Sequence, residues 1–248
     1  MNLVIKAGIF FFRWRDTLFS LIFLAGLYLL SISEKTFLFH FIGNFKEDLI
    51  FSALGFIFVV IGIGIRAITI GYIYIKRAGL NKKIHAEQLF KEGLFSHCRN
   101  PLYLGNLFVV TGAIISLNIY LYWIVILPLF YFIYYSIIRA EEEFLKNKFK
   151  EEYINYIKDV PRLIPGNLNR FPESFKNLNF SLKRVIKVEH STQFLVFFTI
   201  LLINILKFRF RYNISWENPY FQIIYFIMIL LIIYQITAAI LKRKGKLD

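Results

Sequence analysis

The chain has 248 residues, of which 57% are hydrophobic and 19% aromatic, with 30 Lys and Arg against 16 Asp and Glu and a formal net charge of +14. So large an apolar fraction excludes an ordinary soluble domain and predicts long apolar runs. The positive charge does not point to nucleic acid, because in a membrane protein an excess of Lys and Arg first reflects loop orientation and contact with lipid headgroups.

At about 20 apolar residues per bilayer crossing, the sequence predicts spans near Thr17–Ser33, Leu49–Ile75, Pro101–Leu117, Ile119–Ile138, Thr192–Leu206 and Tyr220–Leu241. No apolar/polar alternation of the kind a closed barrel needs is present, so the expected class is all-α, a multi-pass protein of about six spans. The first span follows Phe10-Phe11-Phe12 and Arg13-Trp14-Arg15, as a signal peptide would, but no small-residue cleavage site follows it and a retained helix is expected. Basic residues gather at Arg13 and Arg15, from Lys76-Arg77 to Lys82-Lys83, along Arg139–Lys187 and at Lys242-Arg243-Lys244. Placing these in the cytoplasm puts both termini inside and the Leu117–Tyr120 turn outside; Lys207, Arg209 and Arg211 contradict that arrangement. The single Cys98 has no disulfide or metal partner. The four His (His40, His85, His97 and His190) lack the spacing of a zinc site, and no metal is expected.

Within the second span, Gly62–Ala67 (GIGIRA) imitates a dinucleotide-binding fingerprint. That pattern carries meaning only between a strand and a helix, and here the glycines are expected to let helices approach closely. Arg66 lies in the same run, where an ionisable side chain either snorkels to the interface or faces a polar cavity. Between Lys76 and Gly93 the chain is polar, and Ala86–Lys91 reads as a short interfacial helix with Leu89 and Phe90 toward lipid.

The run Gly93–Asn106 (GLFSHCRNPLYLGN) then interrupts the apolar sequence. Pro101 suits the first turn of a helix, which places free backbone N–H groups and a positive dipole end just after Arg99-Asn100. Gly105 removes a side chain one turn on, and Tyr103 offers a ring and a hydroxyl. A second polar island, Arg139–Pro165, follows the fourth span. At helical period it puts Phe144, Leu145, Phe149, Tyr153 and Tyr156 on one stripe, with Glu141, Glu142 and Glu143 at the membrane boundary. The third and fourth spans form a hairpin, so the Glu cluster returns to the level of Arg99-Asn100-Pro101 and a mixed-charge pocket on the cytoplasmic side is expected.

These residues carry a resemblance. Arg99-Asn100-Pro101-x-Tyr103-x-Gly105, then Glu141-Glu142, then Phe149, Tyr153, Tyr156 and Val160-Pro161-Arg162-x-Ile164-Pro165 resemble the isoprenylcysteine carboxyl methyltransferase and phospholipid methyltransferase-like family. The resemblance covers about Gly62 to Pro165. It implies an integral membrane enzyme that binds S-adenosylmethionine in a cytosol-facing pocket and methylates a lipophilic acceptor delivered from the bilayer, a carboxylate or a lipid headgroup. By position, Asn100, Pro101, Tyr103, Gly105, Glu141 and Glu142 would form the cofactor site. The chemistry agrees: carboxylates suit the cofactor's cations and hydroxyls, while the helix start and Arg99 suit its carboxylate. Arg66 and Arg139 are the candidates for holding an anionic acceptor. The chain departs from the pattern at Asn100, where many relatives have His, and at Lys150, where relatives often have Gly, a change expected to affect a turn more than chemistry.

The expected organisation is residues 1–60 as N-terminal membrane helices, 61–165 as a methyltransferase-like core, 166–190 as a basic linker and 191–248 as a helix pair outside the resemblance. Membrane sterol reductases, which use a nicotinamide cofactor, share a related stretch. They would have Lys-Tyr-Gly and Trp where this chain has Lys148-Phe149-Lys150 and Tyr153, and no Glu pair. A non-enzymatic membrane scaffold is the other alternative.

Overall fold

The computed structural model describes residues 2–31, 43–74 and 84–247. The described residues form helices and no strand: α1 (Leu3–Ser31), α2 (Phe45–Tyr72), α3 (Pro101–Leu117), α4 (Leu127–Asp159), the short α5 (Phe171–Phe175), α6 (Leu182–Tyr212) and α7 (Pro219–Arg243). Five helical runs are long and apolar enough to cross a membrane: Leu3–Ser31, Phe45–Tyr72, Tyr122–Asp159, Leu182–Tyr212 and Pro219–Arg243. The remaining expected span, the third in chain order, is α3, a shorter apolar helix of 17 residues. The protein is thus an all-α chain of multi-pass membrane type. Two expected starts shift, α1 beginning at Leu3 instead of Thr17 and α6 at Leu182 instead of Thr192. Lys and Arg end an apolar run, but they are good helix formers and do not end a helix. The expected span ends at Ser33 and Ile75, the Lys76–Lys83 basic cluster and His40 lie outside the described residues.

Helices α2 and α3 run antiparallel in close contact, with Gly55 facing Gly112 and Gly62 facing Gly105. A Cβ on Gly62 would lie 2.5 Å from the Gly105 carbonyl oxygen, and one on Gly105 would lie 2.7 Å from that of Gly62. The small-residue reading of the GIGIRA run therefore holds at Gly62, whereas Gly64 faces open space. Helix α1 packs antiparallel on α4, with Gly8 against Ser136 and Ala140 at one end and Gly26 against the Tyr122 ring at the other. The Tyr122 hydroxyl donates to the Ile22 carbonyl. Val59, Ile114, Leu117, Phe130, Ile137 and Ile203 fill the space between these helices. Helix α7 packs on α6 through Phe208, Phe221 and Ile224 and leaves Ile223, Phe226, Ile229 and Ile233 exposed, a face suited to lipid.

Ala86–Lys91 is not the interfacial helix expected from its sequence. Six residues are too few to sustain a helix unaided, and this segment is laid along the end of α4 by side chains. Lys148 donates to the Ala86 carbonyl, Lys91 pairs with Glu152 at 2.6 Å, and Leu89 packs on the Tyr153–Tyr156–Val160 cluster instead of facing lipid. At Lys150 the backbone of α4 leaves helical geometry, with φ 46° and ψ −117°, where the resemblance places Gly.

At the end of the bundle where α3 stops, charges are buried. Asp48 and Lys207 are fully enclosed and pair at 3.2 Å, and Arg211 reaches the same carboxylate at 2.9 Å. Lys207 also donates to the Ser116 carbonyl at 2.8 Å, and Arg211 to those of Leu117 and Asn118 at 2.8 and 3.1 Å. The last carbonyls of α3 have no partner within their own helix, and these two cations from α6 satisfy them. Lys207 and Arg211 are therefore structural, not loop charges, which removes them from the conflict over orientation.

Candidate active site

The other end of the bundle holds the two polar islands, and the chain brings them together. Pro101 occupies the first turn of α3 as expected. Asn100 precedes it without capping the helix. Its amide instead donates to Glu142 Oε1 at 3.3 Å and to the Arg162 carbonyl at 3.1 Å. Backbone bonds fasten the same loop to Val160–Gly166: the Arg99 N–H donates to the Pro161 carbonyl at 2.9 Å and the Gly166 N–H to that of His97 at 2.9 Å. The Cys98 thiol donates to the Leu163 carbonyl at 3.0 Å, and burial pushes its pKa up to about 11. Side chains sixty residues apart in sequence thus form one wall.

Glu142 is the hub of this wall. Arg99 approaches it at 3.3 Å, and Arg162 holds both of its oxygens, with contacts of 3.0 to 3.1 Å. The Glu142 hydrogen bonds hold the Arg162 guanidinium above its ordinary pKa. Two buried polar atoms beside this cluster, Arg99 Nε and the Tyr153 hydroxyl, have no hydrogen-bond partner among the described residues. Such orphans are costly in a finished core and are expected where a ligand completes the site.

One turn into α3, the Tyr103 hydroxyl donates to Glu141 Oε1 at 2.7 Å, and Arg15 of α1 approaches that hydroxyl at 3.5 Å. The Tyr103 ring packs edge-on to Tyr134, 5.8 Å between centroids. Deeper still, Gly105 makes room for the Arg66 stem, since a Cβ there would lie 2.7 Å from Arg66 Cγ. Arg66 does not snorkel: its Nε and Nη2 grip Glu189 of α6 at 2.8 Å each, and Nη1 donates to Asn106 at 2.6 Å. Arg139 is half-buried on α4, one turn before Glu142 and Glu143, and makes no ion pair among the described residues.

The structure therefore gathers Arg99, Asn100, Pro101, Tyr103, Gly105, Glu141 and Glu142 at one end of the bundle, with Arg66 beside Gly105. Sequence reasoning missed Arg162, Tyr153, Arg15 and Glu189 as members of the constellation. Arg162 and Tyr153 stood in the quoted motif and were legible. Arg15 gave only a topology signal and Glu189 none. Two surface clefts of about 530 and 320 Å³ lie beside the constellation and not over it, the first lined by Lys158, Asn167 and Arg170, the second by Lys91, Glu152 and Tyr156.

Residues 50–152 match the family model of phospholipid methyltransferase (PEMT). Comparison with curated proteins and with solved structures gave no match. The matched segment holds α2 from Ile50 on, α3, and α4 as far as Glu152, and with them Arg66, the Arg99–Gly105 motif and both Glu141 and Glu142, while Arg162, α6 and α7 lie beyond it. The motif resemblance, from about Gly62 to Pro165, and the family match overlap from Gly62 to Glu152, and over that stretch the chain is similar to the phospholipid methyltransferase family.

Proposed function

We propose that the protein is an integral membrane methyltransferase that uses S-adenosylmethionine to methylate a lipophilic acceptor reaching the site from the bilayer, a carboxylate or a lipid headgroup. The observation that carries this reading is the cluster around Glu142, whose Arg99, Asn100 and Glu142 lie in the family-matched segment, with the orphaned Arg99 Nε and Tyr153 hydroxyl among the described residues beside it. The residues fit the cofactor. Glu142 holds two guanidinium groups where a carboxylate of the cofactor would lie, and the start of α3 adds backbone donors. Glu141, held on one oxygen by Tyr103, has its second oxygen available for an ammonium or a ribose hydroxyl. Bound there, the cofactor supplies an electrophilic methyl on a sulfonium.

Transfer to an acceptor oxygen or nitrogen is an in-line displacement, in which the acceptor lone pair forms the new bond and the broken bond leaves its pair on sulfur. A carboxylate acceptor needs no base, so this chain's residues contribute alignment and exclusion of water. Arg66 and Arg139 are proposed to hold an anionic acceptor, with the site facing the cytoplasm.

Calorimetry of detergent-purified protein with S-adenosylhomocysteine and with NADPH tests the proposal. Binding of the first and not the second is expected, and the reverse overturns the reading in favour of a reductase. Glu142→Gln should weaken S-adenosylhomocysteine binding by about 1.5–3 kcal/mol, the worth of hydrogen bonds to a charged group. Unchanged affinity would remove Glu142 from the site.

A further inference from the structure

The contact between Arg66 and Glu189 joins the family-matched segment to a helix outside it. The pair is bidentate, and its side chains are only 13% and 3% exposed. Arg66 lies six residues before the end of α2, about 9 Å along the axis, inside an apolar run. Joining two membrane helices does not call for such a pair, since desolvating both charges costs more than well-packed apolar side chains would. Glu189 takes two and Asn106 one of the five donors that a guanidinium offers, which leaves two on Nη1 and Nη2 without a partner among the described residues. The same level of α6 is polar well beyond Glu189, with Gln193 accepting from Tyr234 of α7 at 2.6 Å. A plain lipid anchor needs none of this.

We propose that Glu189 is a positioning residue for the acceptor end of the methyl-transfer site. It fixes the Arg66 guanidinium so that its two remaining donors receive an anionic oxygen of a membrane lipid, and it makes α6 part of the catalytic unit. The inference rests on the methyltransferase reading above. A fixed guanidinium fork binds an oxyanion with defined geometry, which a mobile one does not. Placement of the acceptor to a fraction of an ångström is what in-line transfer requires.

The test uses the full chain in nanodiscs of phosphatidylethanolamine and phosphatidylglycerol with methyl-tritiated S-adenosylmethionine. It reads lipid-extractable label, S-adenosylhomocysteine affinity and the melting temperature. Glu189→Gln alone leaves a buried guanidinium without its carboxylate and is open to misfolding, so the deciding variant is Arg66→Leu with Glu189→Leu, which removes both charges together. The expected result is a double variant that melts near the wild type, binds S-adenosylhomocysteine within about threefold of it, and loses about 100-fold in label transfer, the scale of a misplaced acceptor. A double variant that keeps wild-type transfer shows the pair to be structural and overturns the proposal. One that loses S-adenosylhomocysteine binding moves the pair to the cofactor end and overturns it too. A wild-type protein that binds S-adenosylhomocysteine but labels no lipid overturns this inference alone, whereas one that binds none overturns the methyltransferase reading itself.

Discussion

Replacing Asp48 by Asn tests the buried ionic network at the far end of the bundle. The carboxylate accepts from Lys207 at 3.2 Å, Arg211 at 2.9 Å, Asn118 at 3.0 Å and Tyr212 at 3.1 Å, and of these groups only Tyr212 has more than slight access to water. An amide in its place removes the charge and sets an N–H donor against at least one of these donors. Lys207, fully enclosed, loses its only ion pair among the described residues. Removing one partner of a buried pair costs about 3–5 kcal/mol, because the remaining charge is left uncompensated. For a chain of this size that is a fall of about 10 °C in melting temperature. Thermal unfolding in detergent measures it, with Asp16→Asn as the control, since the Asp16 side chain is 94% exposed and its contact with Arg15 at 3.8 Å is worth little. Adding Lys207→Met to Asp48→Asn should recover a large part of the loss. An Asp48→Asn protein within about 1 kcal/mol of wild type would refute the argument. So would a double variant no better than the single one.

Lys150 holds a backbone conformation that favours glycine, with its side chain exposed, so Lys150→Gly should stabilise the protein by about 1 kcal/mol in denaturant titration. Destabilisation would show that the kink is not strained. The Cys98 thiol, raised from 9.0 to about 11 by burial, keeps its proton in the folded state where the unfolded chain loses it. Its contribution is complete below pH 9 and is lost as pH rises through 11, so wild type should lose about 2–3 kcal/mol relative to Cys98→Ala across that window, and a constant difference would refute this. Single cysteines at Glu217 and Asn155, both exposed and at opposite ends of the bundle, should label from opposite sides of a membrane. Labelling of both from one side would overturn the proposed arrangement of spans.

What was legible in the sequence follows from range. Apolar runs declare themselves because lipid demands continuity, and α7 appears almost where hydropathy puts it, Pro219–Arg243 against Tyr220–Leu241. The Arg99–Gly105 motif and the Glu pair were legible because each is local, and one hairpin sufficed to bring them together. Ala86–Lys91 was misread for the opposite reason: its conformation depends on Lys148 and Glu152 of α4, about sixty residues away. Arg66 was visible as an anomaly, but its partner Glu189 is 123 residues on and outside every motif. A single sequence shows that a charge is in the wrong place without showing what compensates it.

The Lys207–Arg209–Arg211 cluster shows how far such an anomaly can be taken. Counted as loop charge, it contradicted the orientation set by the other basic clusters. Helical spacing separates its members, because positions 207 and 211 are four apart and share a face, whereas 209 points away. The structure follows that division: Lys207 and Arg211 turn inward to Asp48 and the end of α3, while Arg209 turns to Asn213 and lies over the Trp216 ring. The demand for cations at this depth comes from α3. Its 17 residues reach only about 25 Å, so it stops inside the bundle with its carbonyls unpaired. A short span followed by a buried turn therefore calls for inward donors from a neighbour, and one acidic residue early in another span calls for the same pair. Asp48 in the first turn of α2 answers to that description, so the i, i+4 cations and the lone aspartate form one structural unit divided between α2 and α6.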